Sequence, residues 1–351
     1  MTYGIANLLG VSLARPVTIL PGWQSWPKPL QSLYTYAIGA HLSHTLDFLV
    51  ALAFYLLLWP RCLAAAGASS GGNNGLADFY GFDLSLGGWV AQVLLFNLAC
   101  EFTLVGFWHS MTYGGGRTER DTADEKSDPL AKFKYNKKQQ YGPQERADGS
   151  DHLSREIFYQ TLGWVQAAAL QCVMVRMYAL GRLGPLAAAP FFAGLGGAWP
   201  TSAAALAATL ANAETQRNIF SMALVTYWRE IHFYFCHRMI HPWSGPNPRS
   251  APWWDLGAAL YTHAHSVHHK STNPGPWSGM SMHPVEHFFY FQCAWLPFVA
   301  LAVPSLYVHP MHFLYAIFHA CVAPIAGHDG YASPGGGADY HYLHHAYLEC
   351  A

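Results

Sequence analysis

Apolar runs long enough to cross a bilayer alternate along this chain with short polar ones. The first covers 38–59 and stops before Pro60; the second covers 89–109. A third spans 158–180, and an Ala-rich fourth at 186–211 is interrupted by Pro190 and Pro200. The stretch 284–327 is about 44 residues long, enough for two helices of about 30 Å at 1.5 Å per residue, dividing near His309-Pro310. A further helix is predicted over 219–241, where apolar and polar residues mix. The pattern predicts an all-α, polytopic membrane helical bundle of about four to six spans.

The intervening segments differ in kind. Residues 1–37 are rich in Pro and Trp and read as an irregular or interfacial lead-in, and 60–88 form a Gly/Ala/Asn-rich loop. Between Arg117 and Asp151 stand eight Lys/Arg and eight Asp/Glu, the signature of a solvated loop. The chain thus divides into an N-terminal membrane region (1–116), a charged loop (117–157), membrane helices (158–226) and a C-terminal domain (227–351). His41, His44 and Asp47 in the first run are costly in lipid unless they face other helices, so packing or capping roles are expected. Glu101, in the middle of the second run, has no partner that the sequence identifies.

Composition agrees with a membrane protein. The chain is 52% hydrophobic and 11% charged, against about 25% charged in soluble domains. A net charge of −1 says nothing about nucleic acid, and no basic stripe suggests it as a partner. Seven cysteines without C-x-x-C spacing indicate neither a zinc ribbon nor a disulfide framework. The N-terminus lacks a charged segment followed by an apolar core, so no cleaved signal peptide is expected.

Positive charge gives an orientation. With two spans in each of the three apolar regions, segments 1–37, 110–157, 212–283 and 328–351 share one side and hold sixteen of the nineteen Lys/Arg. By the positive-inside rule that side is cytosolic.

Those segments also carry the chemistry. Sixteen of twenty histidines fall between His232 and His345. HSVHHK presents His265, His268 and His269; HYLHH presents His341, His344 and His345; HRMIH adds His237 and His241, and His283 and His328 stand alone. In a helix, residues three and four apart share a face, so each triplet is expected to aim three imidazoles at one point. So many imidazoles exceed the four ligands of a tetrahedral zinc site and suit two adjacent ions with open positions. Each ligand must be neutral and held through its other ring nitrogen, commonly by a carboxylate; Glu230, Glu286, Asp329 and Asp339 are the local candidates.

From about Tyr227 onward these motifs resemble the sterol desaturase/fatty acid hydroxylase superfamily. WREIHFYFCHRMIH carries Glu230, Tyr234, His237-Arg238 and His241 in the family's places, and HSVHHK matches its second box. SMHPVEH resembles the His-Pro-x-Glu element through His283, Pro284 and Glu286; GHDGY carries over His328, and DYHYLHH the last triplet. The resemblance implies a metal set of His237, His241, His265, His268, His269, His283, His328, His341, His344 and His345. It implies a cytosol-facing di-iron centre (zinc possible as isolated), O2 as co-substrate, a membrane lipid or sterol substrate, cytochrome b5 or a similar electron donor, and residence in the endoplasmic reticulum. Sterol C5-desaturation and C4-methyl oxidation lead among the activities, and hydroxylation of fatty acyl or sphingoid lipids stays open. In relatives more chain follows the final His pair than the six residues after His345 here. A catalytically inactive, C-terminally truncated member and a His-rich metal transporter are the alternatives. His287 is expected to pack, and histidines 232, 263, 309, 312 and 319 to cap or support. Trp253, Trp254, Trp277 and residues 288–291 read as interface aromatics or the wall of a lipid entrance.

The topology makes a direct prediction. Protease or glycosylation mapping should place residues 117–151 on the cytosolic side; a lumenal signal would reverse the orientation.

Overall fold

The computed structural model describes residues 26–30, 45–68, 81–113, 135, 152–183, 191, 202–245, 247–300, 309–331 and 337–347. The expected lead-in 1–37, the start of the first span with His41 and His44, most of the charged loop, and Pro190 and Pro200 lie largely or wholly outside them. Among the described residues, every long element is helical.

The first run forms α1 (Thr45–Leu57) and α2 (Trp59–Ala68), bent by 46° across Leu58. Pro60 does not end the run. It occupies the first turn of α2, where its missing N–H costs nothing. The second run is α3 (Trp89–Tyr113). The third becomes α4 (His152–Ala179), a helix with a polar inward face: Glu156, Gln160, Gln171 and Arg176 are all buried. Gln171 accepts from Asn97 Nδ2 at 2.7 Å, and Thr161 donates to Glu101 at 2.9 Å, so the glutamate does have a partner, across the α3–α4 seam.

Of the Ala-rich fourth run, the described part includes α5 (Ala203–Ala211), started by Ser202 accepting the Ala205 N–H. Asn212 caps α6 (Ala213–Met239) through the Glu214 and Thr215 amides. Asp255 caps α7 (Leu256–His263) with one carboxylate oxygen and takes the Trp243 and Ser244 amides with the other. The single aspartate therefore closes the loop behind His241. The 44-residue stretch divides as expected, into α8 (Pro284–Ala300) and α9 (Pro310–Gly327). His309 caps α9 by accepting the Met311 N–H, with Pro310 as its first residue. The last element is α10 (Gly337–Tyr347).

Two helices, α3 and α9, are long and apolar enough to cross a membrane, and the bent α1–α2 pair makes a possible third. Fewer candidates thus appear among the described residues than the four to six expected. Much of the fourth run lies outside the described residues, α8 is 17 residues long, and the buried polar groups of α4 lower its mean hydropathy.

The two strongest candidates play opposite parts. Only 22% of the apolar window of α3 is buried, whereas 83% of α9 is. Helix α9 is the axis of the bundle, packed against α1, α4, α6 and α8. Phe318 meets Phe54 at 5.8 Å and Trp164 at 6.5 Å between ring centroids. One turn of α9 is ionisable: His319 Nδ1 lies 2.7 Å from Asp47, so the first-run aspartate packs inside the bundle.

Helix α6 is arranged inside out. Phe220, Leu224, Tyr227, Ile231 and Tyr234 are exposed at helical spacing, while Thr215, Asn218, Arg229 and His232 point inward. An apolar outer stripe over a polar inner one suits a helix bathed in lipid and lining a polar site.

The turn from Pro276 to Ser278 brings Gly279 against the end of α9, where a Cβ would lie 2.8 Å from the Pro324 carbonyl group. Gly279→Ala should therefore cost about 1–3 kcal/mol through overpacking. Thermal unfolding in detergent should show a lowered midpoint; an unchanged one would mean that this contact is slack.

Candidate metal centre

Nine histidines gather into two groups. His237, His241, His265, His269 and His344 form one; His268, His328, His341 and His345 form the other. Within each group the ligand nitrogens lie within 4.8 Å of one another. His237 comes from the last turn of α6, and His241 follows its C-cap. HSVHHK is a 3₁₀ helix (His265–Lys270), His328 caps α9, and the last three come from α10.

Neither triplet aims at one point. His265 and His269 enter the first group and His268 the second; His341 and His345 enter the second and His344 the first. Adjacent residues on a helix diverge by about 100°, and by about 120° on a 3₁₀ turn. A His-His pair therefore straddles two sites. The His-x-x-His-His spacing encodes a pair of sites, each triplet lending its i and i+4 members to one and its i+3 member to the other.

Three rings have a fixed tautomer. His328 Nδ1 lies 2.7 Å from the Pro324 carbonyl and His345 Nδ1 lies 3.0 Å from the Ser271 carbonyl. A carbonyl only accepts, so both Nδ1 atoms carry the proton and both Nε2 atoms present a lone pair. His265 Nδ1 likewise donates to Glu286 at 2.7 Å. Its Nε2 lies 3.0 Å from His241 Nε2 and 2.9 Å from His269 Nε2. In the second group, His345 Nε2 is 3.0 Å from His268 Nε2 and 3.2 Å from His341 Nε2, and His328 Nε2 is 2.7 Å from His341 Nε2.

Lone pairs turned on one another repel unless a cation lies among them. Two nitrogens held about 2.1 Å from one ion at right angles stand about 3.0 Å apart, the spacing seen here. His237 Nε2 and both nitrogens of His344 are buried without a hydrogen-bond partner. The residues present fit a metal in each group.

Charge state agrees. Burial, the largest cause at each ring, lowers His241 to about 3 and His328 and His344 to about 4. Burial and then the neighbouring imidazoles hold His265, His268, His269, His341 and His345 well below the ordinary range. At neutral pH all are uncharged, as ligands must be.

The remaining candidates fall elsewhere. His283 lies outside both groups, and its Nδ1 accepts the Val285 N–H at the start of α8, where Pro284 leaves the backbone short of a donor. His287 packs between Gln166 and the Met280 carbonyl. His312 reaches the Asn218 carbonyl, and His232 contacts Cys236. Of the four carboxylates, Glu286 alone is seen holding a ligand ring. Glu230 pairs with Arg229, Asp329 accepts the Tyr331 N–H, and the Asp339 side chain lies outside the described set. Trp277 is buried against Phe102, whereas Trp253 and Trp254 are exposed.

Residue type and spacing carry no sign of the two carbonyls. Pro324 lies inside α9, but the His328 amide turns to Ile325 instead, freeing the Pro324 oxygen for the His328 ring. Ser271 also joins α4, donating to Glu156 at 2.5 Å and accepting from Arg155 at 2.9 Å. Its place two residues after His269 was the only available signal.

Both groups open on one cavity of about 480 Å³, reached by His237 and His344 from the first and by His268, His328 and His341 from the second. Residues 222–350, which contain all nine histidines, match the fatty acid hydroxylase family. The match places this C-terminal region in the fatty acid hydroxylase/sterol desaturase superfamily. No curated protein and no solved structure matches the chain. That family implies a membrane oxidoreductase of the lipid hydroxylase/desaturase type and is generally iron-dependent.

Metal analysis of the purified protein should find about two ions per chain, one for each group. Glu286→Gln should weaken metal retention about 10–100-fold, because it loosens the ring of His265. A folded protein without metal would refute the site.

Proposed function

We propose that this fatty acid hydroxylase family member is an oxygen-dependent oxidoreductase acting on a sterol or related membrane lipid, with the nine histidines holding two iron ions. The observation that carries this reading is the pair of neutral, convergent imidazole groups opening on a single cavity with apolar walls. The overall reaction consumes O2, two electrons and two protons, and yields an oxidised C–H position and water. Iron bound in the two groups would supply the oxygen activation that side chains lack.

The chain's own residues supply position and exclusion. Glu286 and the carbonyls of Ser271 and Pro324 orient the three rings described above, one in the first group and two in the second. Phe233, Met282, Tyr290 and Pro324 wall the cavity and keep water from the reacting carbon, while Tyr234 and Tyr340 are exposed at its rim. The exposed apolar stripe of α6 continues to Tyr234 at the cavity, an apolar surface along which a lipid would reach the site.

Electrons would come from a separate carrier such as cytochrome b5 on the cytosolic face of the endoplasmic reticulum. The excess of Lys and Arg on the segments expected to share a side with the histidines, most of it in 110–157, supports that orientation. Sterol C5-desaturation and C4-methyl oxidation are the leading activities.

Lipid profiling of a sterol-pathway mutant expressing this chain tests the proposal. A new oxidised or desaturated lipid should appear with the native sequence and disappear with His268→Ala at equal membrane abundance. An unchanged profile with fully metallated protein would refute it.

A further inference from the structure

The cavity carries polar side chains that the metal groups do not use. Arg229, on the inner face of α6, lines it and is only 8% exposed. Its guanidinium donates to the Tyr290 hydroxyl at 2.5 Å and to Glu230 at 2.5 Å. The cation also sits 5.3 Å from the Phe233 ring centroid and 5.6 Å from that of Tyr290. Its Nε–H is buried with no acceptor. Glu230 lines the same cavity with its side chain 62% exposed.

The Arg229 and Glu286 charges are already engaged. Arg229 is neutralised by Glu230, and Glu286 is engaged by His265. The one further cation on the wall, Arg238, donates to the Pro242 carbonyl. A lipid carboxylate or phosphate would meet Arg229 only by approaching the Glu230 carboxylate as well, and like charges repel. A hydroxyl matches both partners: its oxygen accepts from the guanidinium or the Tyr290 phenol, and its hydrogen donates to Glu230.

We propose that Arg229, Glu230 and Tyr290 form the head-group subsite of the cavity and select a neutral, hydroxyl-headed lipid over an acid. Arg229 and the histidines line one cavity, so carbons close to the hydroxyl are the ones presented for oxidation. The inference deepens the proposed lipid oxidation and rests on that reading for the position oxidised; the binding preference itself needs neither oxygen nor turnover.

The test is equilibrium binding to the purified, metal-loaded protein in nanodiscs, read by native mass spectrometry. The probes are a long-chain primary alcohol and the carboxylic acid of equal chain length. The native protein should bind the alcohol at least about tenfold more tightly. Glu230→Gln leaves the Arg229 charge unbalanced and should reverse the order, with the acid gaining about tenfold or more, a gain that a misfolded variant would not show. Tyr290→Phe should weaken alcohol binding several-fold while leaving metal content unchanged. Equal binding of the two probes, a native preference for the acid, or an unchanged order in Glu230→Gln would each overturn the subsite. If the preference holds and no lipid is oxidised, the subsite stands and the proposed reaction falls.

Discussion

Everything in this structure is built around one electrostatic constraint: nine imidazoles crowded in two groups must all be neutral and must all turn lone pairs inward. Burial removes the protons, because charging any one ring would place a cation in an apolar interior beside other rings. Direction is set from outside the groups, where Glu286 and the carbonyls of Pro324 and Ser271 take the Nδ1 protons and leave Nε2 bare. The secondary structure follows from this. Helix α9 ends in a tightened turn at His328, HSVHHK winds as a 3₁₀ helix, and α6 stops just before His241.

The surroundings invert the usual order of a soluble protein. Helix α9, one of the most apolar, is sealed within the bundle, while α6 exposes an apolar stripe from Phe220 to Tyr234 and buries Thr215, Asn218, Arg229 and His232. Lipid tails solvate apolar side chains as well as a core does, so an outer apolar face is not penalised, and a polar inner face can be spent on the site. Helix α4 serves the same end. It uses Gln160 to receive the Met280 amide and Glu156 to receive Ser271, both next to histidine-bearing segments. The scaffold touches the centre through its few buried polar groups.

Much of the site was legible because metal binding demands particular residues at particular spacing. The nine histidines stand out by number and repetition, and Glu286 by its place in the His-Pro-x-Glu element. The assignment of rings to groups was not legible as first read, since shared-face reasoning holds His265 and His268 together, whereas the divergence of adjacent side chains sends His268 and His269 to different groups. Span count was blurred for a related reason. Helix α4 has the length of a span but spends polar residues on internal hydrogen bonds, so hydropathy measures its partners as much as its location.

The amino-acid sequence by itself determined the kind of chemistry: which side chains carry donor nitrogens, their intervals, the apolar runs that commit the chain to helices and bilayer, and the family. Tertiary structure alone decided which imidazoles share a group, which backbone oxygens fix their tautomers, and that Arg229 and Glu230 neutralise each other beside the same cavity. The division has a physical cause. Ligand type and helical period are local properties written residue by residue. Lone-pair direction, burial and charge balance arise only when segments far apart in the chain, from Glu156 to His345, are brought within a few ångströms of one another.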